Sequence, residues 1–92
     1  MIIRILGEGQ LDVDDGLAAE LNKLDAKLEA AVNAGDEAAL RPVLGEMLAR
    51  VRAVGTPVPA DSLEPSDVIL PYSDASIADV RGLLAEDGLI PG

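Results

Sequence analysis

Leu17, Leu21, Leu24, Leu28 and Val32, with Ala31 beside them, recur at steps of four, three, four and four residues. After the dipeptide Gly35-Asp36 a second apolar set begins: Leu40, Val43, Leu44, Met47, Leu48, Val51 and Val54. An α-helix turns once every ~3.6 residues, so each set forms one apolar stripe along a helix. The spacing predicts helices over about 15–34 and about 37–54. A connection of two residues makes them antiparallel neighbours, with leucine on one side of the seam and valine, leucine and methionine on the other. The rest of the chain has to fit around that pair.

The helix ends carry their own signals. LDVDDGLAAEL, residues 11–21, places three aspartates ahead of the first stripe. An EF-hand calcium loop needs alternating ligands, a glycine at its sixth position and a glutamate at its twelfth. Counting from Asp12 puts Lys23 at the twelfth place, and setting Gly16 as the sixth makes Leu11 the first ligand. The calcium-loop reading fails, leaving Asp12, Asp14 and Asp15 at most a weak association with Mg²⁺ or Ca²⁺. Asp14 or Asp15 instead suits the open amides and positive dipole end of a helix start. Gly35 suits a left-handed C-cap, and Asp36 caps the second helix. Glu37 with Arg41, and Glu46 with Arg50, stand four residues apart, worth about 0.2–0.5 kcal/mol each as exposed pairs. Pro42 lies beyond the first turn, where proline removes an amide and crowds a carbonyl. A bend near Leu40–Arg41, or a helix that begins afresh at Pro42, is expected.

Residues 2–6, IIRIL, read as a strand, Gly7-Glu8-Gly9 as a turn and Gln10–Val13 as the returning strand of a hairpin. A dinucleotide-type phosphate loop would need glycine where Asp12 stands, so phosphate binding is rejected. Gly55-Thr56-Pro57 stops the second helix. PVPADSLEPSD, residues 57–67, is an irregular three-proline connector, expected to be pinned to the surface by Val58 and Leu63. Val68-Ile69-Leu70 forms a third strand closed by Pro71. Ser76 and Asp79 make a capping-box spacing ahead of Ile77, Val80, Leu83 and Leu84, which line a short helix over about 76–86, capped by Gly88, with Leu89-Ile90 returning toward the core. The expected fold is one α+β domain over residues 1–92: a short N-terminal β-hairpin and a third short strand packed on an antiparallel helix pair, with a short C-terminal helix. A mainly helical domain with vestigial strands is the alternative.

Composition removes several classes of function. Seventeen acids against seven bases give a net charge of −10 at pH 7, and Tyr72 is the only aromatic residue. Such a chain repels phosphate backbones and anionic lipid and has little to stack on bases, so it binds no nucleic acid. Histidine and cysteine are both absent, which removes the commonest general base, the thiol nucleophile and the commonest transition-metal ligands. The chain is therefore expected to have no catalytic residues, no cofactor and no metal. No apolar run reaches the ~18–20 residues that span a bilayer, and MIIRIL is too short for a signal-peptide core, so a cytoplasmic protein without membrane insertion is expected. Alanines at 18, 30, 31, 34, 38, 39 and 49 would let a partner helix approach closely, and self-association into a homo-oligomer fits them equally well.

Four stretches, MIIRILGEGQLDVDD, LAAELNKLDAKLEAAVNAGDEAAL, VGTPVPADSLEPSDVILP and LLAEDGLIPG, cover nearly the whole chain in order. Together they resemble the PspA-associated domain, PspAA, with GEGQ and PSD-x-x-LP the most telling segments. The resemblance implies an accessory or regulatory protein of the phage-shock protein A envelope-stress response. It would act by contact with PspA, a long α-helical coiled-coil protein that binds and protects the inner membrane. It also implies recruitment to the inner face of that membrane through PspA. Basic, lipid-binding segments of such a coiled coil would meet this acidic chain, and the candidate contact residues are Glu20, Asp25, Glu29, Asp61, Glu64 and Asp67. A self-associating acidic structural domain without PspA contact is the alternative.

Overall fold

The computed structural model describes residues 1–84. Strands β1 (Ile2–Ile5) and β2 (Gly9–Asp12) form the N-terminal hairpin, and a 3₁₀ turn, Asp15–Leu17, leads into α1 (Ala18–Ala34). Helix α2 (Glu37–Val54), strands β3 (Thr56–Pro57) and β4 (Val68–Leu70), and helix α3 (Ile77–Leu83) follow. The strands make one sheet in the order β3-β2-β1-β4, antiparallel throughout except that β4 runs parallel to β1. The fold is the expected α+β arrangement, with one strand more than the sequence reading contained. The expected end of the last helix at 86, its Gly88 cap and the return of Leu89-Ile90 lie outside the described residues.

One aliphatic core joins the sheet and the helices. Ile3 and Ile5 of β1, and Val68 and Leu70 of β4, are buried with the stripe of α1 and with Leu40, Leu44, Met47, Leu48 and Val51 of α2. The intervening residues Arg4 and Ile69 are exposed, which is the period-two alternation of a sheet covered on one face. Burying a leucine-sized side chain contributes about 1.5–3 kcal/mol, so this shared core is the dominant favourable term of the fold. Val54 departs from the expected buried face and is 41 % exposed. It is the last residue of α2, where the chain turns out of the helical layer at Gly55.

The turn between the helices shows how two residues accomplish the reversal. Gly35 takes φ 67° as the left-handed C-cap of α1. Its amide donates to the Val32 carbonyl at 3.0 Å, and the Asp36 amide donates to the Ala31 carbonyl at 3.0 Å, the paired bonds of a Schellman motif. Asp36 then serves α2, its Oδ1 accepting from the Ala39 amide at 3.1 Å. At the hairpin, Gly7 has φ 84°, which favours glycine, and an added Cβ would come within 2.8 Å of the Tyr72 ring and displace it.

Of the two outcomes expected at Pro42, the fresh start is corrected: α2 runs unbroken through it, and no second helix starts there. Pro42 and Ala38, whose carbonyl loses its partner, are both exposed, so water can satisfy that oxygen. Leu40 and Leu44, buried on either side, hold the helix against α1. The intrahelical ion pairs are also replaced. Arg50 Nε lies 3.0 Å from Glu20 of α1, and the Glu37 carboxylate accepts from the Ile77 amide at 3.3 Å. Long side chains at a seam reach across it, where the partner helix is already fixed.

Two substitutions check this account by chemical denaturation. Gly35→Ala is expected to cost about 1–2 kcal/mol, because Cβ disfavours φ 67° although space is open around it. Pro42→Ala is expected to raise stability by about 1–3 kcal/mol through the restored amide, and a loss instead would show that the proline is needed where it stands.

Candidate functional site

The three N-terminal aspartates do not converge on a common point. Asp14 Oδ1 accepts from the Gly16 amide at 2.7 Å and opens the 3₁₀ turn. Asp15 Oδ1 lies 3.0 Å from the Met1 ammonium, and Asp12 Oδ1 lies 3.6 Å from it. The Met1 amine also donates to the Val13 carbonyl at 2.9 Å, extending the hairpin ladder by one pair. Among the described residues no group of three or more His, Cys, Asp or Glu is placed to hold a metal ion. A chain terminus carries no letter in the sequence, so its role as counter-ion was not legible there.

Among the described residues, surface depressions include ones that involve Tyr72 with Asp79, Lys27 with Asp36, and Arg4 with Gln10. None of these brings two carboxylates together, as acid–base catalysis by a carboxylate pair requires.

The six candidate contact residues separate into two groups. On the helices, Glu20 is tied to Arg50. Asp25 is only 4 % exposed, correcting its assignment to the solvent side, and it has an internal partner. Its position, one step from Leu24 and four from Leu21, turns it toward the buried seam. Glu29 is half-buried. In the connector, Asp61, Glu64 and Asp67 are all exposed. Leu63, expected to pin the connector, is instead 99 % exposed, while Val58 is half-buried.

What holds the connector is hydrogen bonding. The Val58 amide donates to the Gln10 carbonyl at 3.0 Å, continuing the β2–β3 pairing that the sequence reading missed. At the other end the Asp67 amide donates to the Ile2 carbonyl at 2.8 Å, and the Ile2 amide returns a bond to Asp67 Oδ2 at 2.8 Å. Between them the Gln10 side chain takes hold twice, Nε2 donating to the Glu64 carbonyl at 3.4 Å and Oε1 accepting from Ser66 Oγ at 2.8 Å. Gln10 belongs to GEGQ, and Ser66 and Asp67 belong to PSDVILP. The two most telling segments of the sequence therefore meet through Gln10 and Ser66 beside the sheet.

Two ionic contacts set a pH dependence. The bond to Asp15, with the charge of Asp12 and Asp15, raises the Met1 ammonium above its ordinary value. Its contribution is present in full below about pH 8 and is lost as pH rises through the raised value. Glu8 accepts from Arg52 Nε at 2.7 Å, and that bond lowers its carboxyl below the ordinary range. Its contribution is present above about pH 4.3 and is lost as pH falls through the lowered value. The Glu8–Arg52 pair is about two-fifths exposed on each side and is worth about 0.2–1 kcal/mol in a screened setting. Thermal melts are expected to show Glu8→Gln less stable at neutral pH, the difference from the parent chain closing in acid. Acetylation of Met1 is expected to remove the matching loss in alkali.

Against known families, residues 1–92 match the model described as PspA-Associated protein, PspAA, which covers the whole chain. No curated protein and no solved structure matches the chain. The full-length match agrees with the segments that the fold brings together, and the chain belongs to the PspA-associated protein family, PspAA.

Proposed function

We propose that this protein is a non-enzymatic accessory or regulatory component of the phage-shock protein A envelope-stress response, acting by direct contact with PspA. The observation that carries this reading is the family match over residues 1–92, whose description is association with PspA. The chemistry of the chain favours contact over catalysis. It has no histidine and no cysteine, and apart from the buried Asp25 the carboxylates of the described residues serve as caps, hydrogen-bond and ion-pair partners and exposed charge.

The net charge of −10 suggests the mode of contact. Complementary charge accelerates encounter and selects the partner. Basic segments that a PspA-type coiled coil uses on anionic lipid would be drawn to this chain, which would compete with lipid for them. No helix among the described residues is long and apolar enough to cross a membrane. The protein would act in the cytoplasm and reach the inner membrane face as a passenger on PspA.

Titration of purified PspA with this protein, followed by calorimetry at increasing salt, tests the reading. A complex is expected that weakens steadily as salt rises through the range where the screening length falls below about 10 Å. Absence of a complex would overturn the partner, and a salt-insensitive complex would overturn the electrostatic mode. Sedimentation of the protein alone addresses the self-associating alternative.

A further inference from the structure

We propose that the connector between β3 and β4 is the partner-contacting surface, with Leu63 as an apolar anchor that enters a slot rimmed by basic side chains on a helical partner. This inference rests on the PspA-contact reading and names the surface that would carry it.

Four observations converge. First, Leu63 is 99 % exposed, more than any other large apolar side chain among the described residues. Scattered apolar residues on a surface are ordinary, and loose loops expose them at little cost. Second, this loop is not loose. Its backbone is bonded to β2 at Val58 and to β1 at Asp67, and the Gln10 amide grips it at Glu64 and Ser66. Leu63 lies midway between the two sheet attachments, next to the gripped Glu64. Third, local turns and prolines stiffen it further. The Ser62 amide donates to the Pro59 carbonyl at 3.0 Å, the Glu64 amide donates to Ser62 Oγ at 3.3 Å, and Pro65 follows. A segment ordered before binding loses less entropy on contact. The fold thus spends ordered backbone on a side chain that contributes nothing to its core.

The fourth observation is charge, which selects the occupant. Residues 55–80 contain Asp61, Glu64, Asp67, Asp74 and Asp79 and no lysine or arginine. Five of the seven cations, Lys23, Lys27, Arg41, Arg50 and Arg52, are on α1 and α2, while Arg4 of β1 borders only the start of the connector at Val58–Ala60 and Arg81 lies on α3. Asp61 and Glu64 flank Leu63 and are exposed. A purely apolar partner would leave those carboxylates desolvated and unpaired, whereas lysines or arginines around an apolar slot would satisfy them. A basic amphipathic helix, whose apolar stripe lies between cationic flanks, has that chemistry.

The test compares PspA binding by the full chain, by Leu63→Ala and by the double variant Asp61→Asn, Glu64→Gln. Leu63→Ala is expected to weaken binding at least about tenfold, the effect of withdrawing a buried leucine from a contact. Its thermal melt should match that of the parent chain, because the side chain is already in water. The double variant is expected to flatten the salt dependence of the dissociation constant. Parent-like binding by Leu63→Ala, with a complex still formed, would overturn this surface and leave the PspA reading standing. No complex with the parent chain would overturn both. A Leu63→Ala chain that altered only the oligomeric state of the protein alone would assign the loop to self-association and overturn the partner proposed.

Discussion

The structure depends on aliphatic side chains closing between a helix pair and a small sheet. With one tyrosine as the only aromatic residue, the core is assembled from leucine, isoleucine, valine, alanine and methionine. Such side chains lack the large surface of an aromatic ring, so the core needs continuity. The α1 and α2 stripes face each other because Gly35 and Asp36 reverse the chain within two residues while capping the end of one helix and the start of the next. The sheet is placed by the same core, through the alternate residues of β1 and β4.

Apart from the buried Asp25, polar groups then settle around that closure. Arg50 bridges the helices at their rim, Arg52 ties α2 to the hairpin turn through Glu8, and the Met1 ammonium offsets Asp12 and Asp15. These contacts are exposed, so each adds little to stability, and their value lies in fixing which elements are neighbours. Five of the seven cations lie on α1 and α2, where five acids balance them, and the net negative charge of the chain is carried by the residues outside those two helices.

The connector links fold and function. A sheet with β3 at one edge and β4 at the other requires a segment that travels between them. A loose loop would be a liability there. The Gln10 amide turns it into an ordered surface by accepting and donating at once. The same contacts join GEGQ to the start of PSDVILP: together they position a loop.

Much of this architecture is local, and local features are legible in sequence. The stripes Leu17 to Val32 and Leu40 to Val51 follow a helical period, Gly35 and Asp36 state the cap at both helix ends, and Ser76 with Asp79 forms the capping box that their spacing announces. What depends on residues distant along the chain was not legible. The Glu20–Arg50 bridge, the burial of Asp25, the Gln10 grip on the connector and the pairing of Thr56–Pro57 with β2 all follow from how the layers close. Leu63 is the clearest instance. By hydropathy alone it belongs inside, and only the tertiary structure, by tying the backbone on either side of it to the sheet, left it facing water. Periodicity and caps act over one or two turns of chain and are written in neighbouring letters, whereas exposure is decided by which distant elements occupy the space beside a residue.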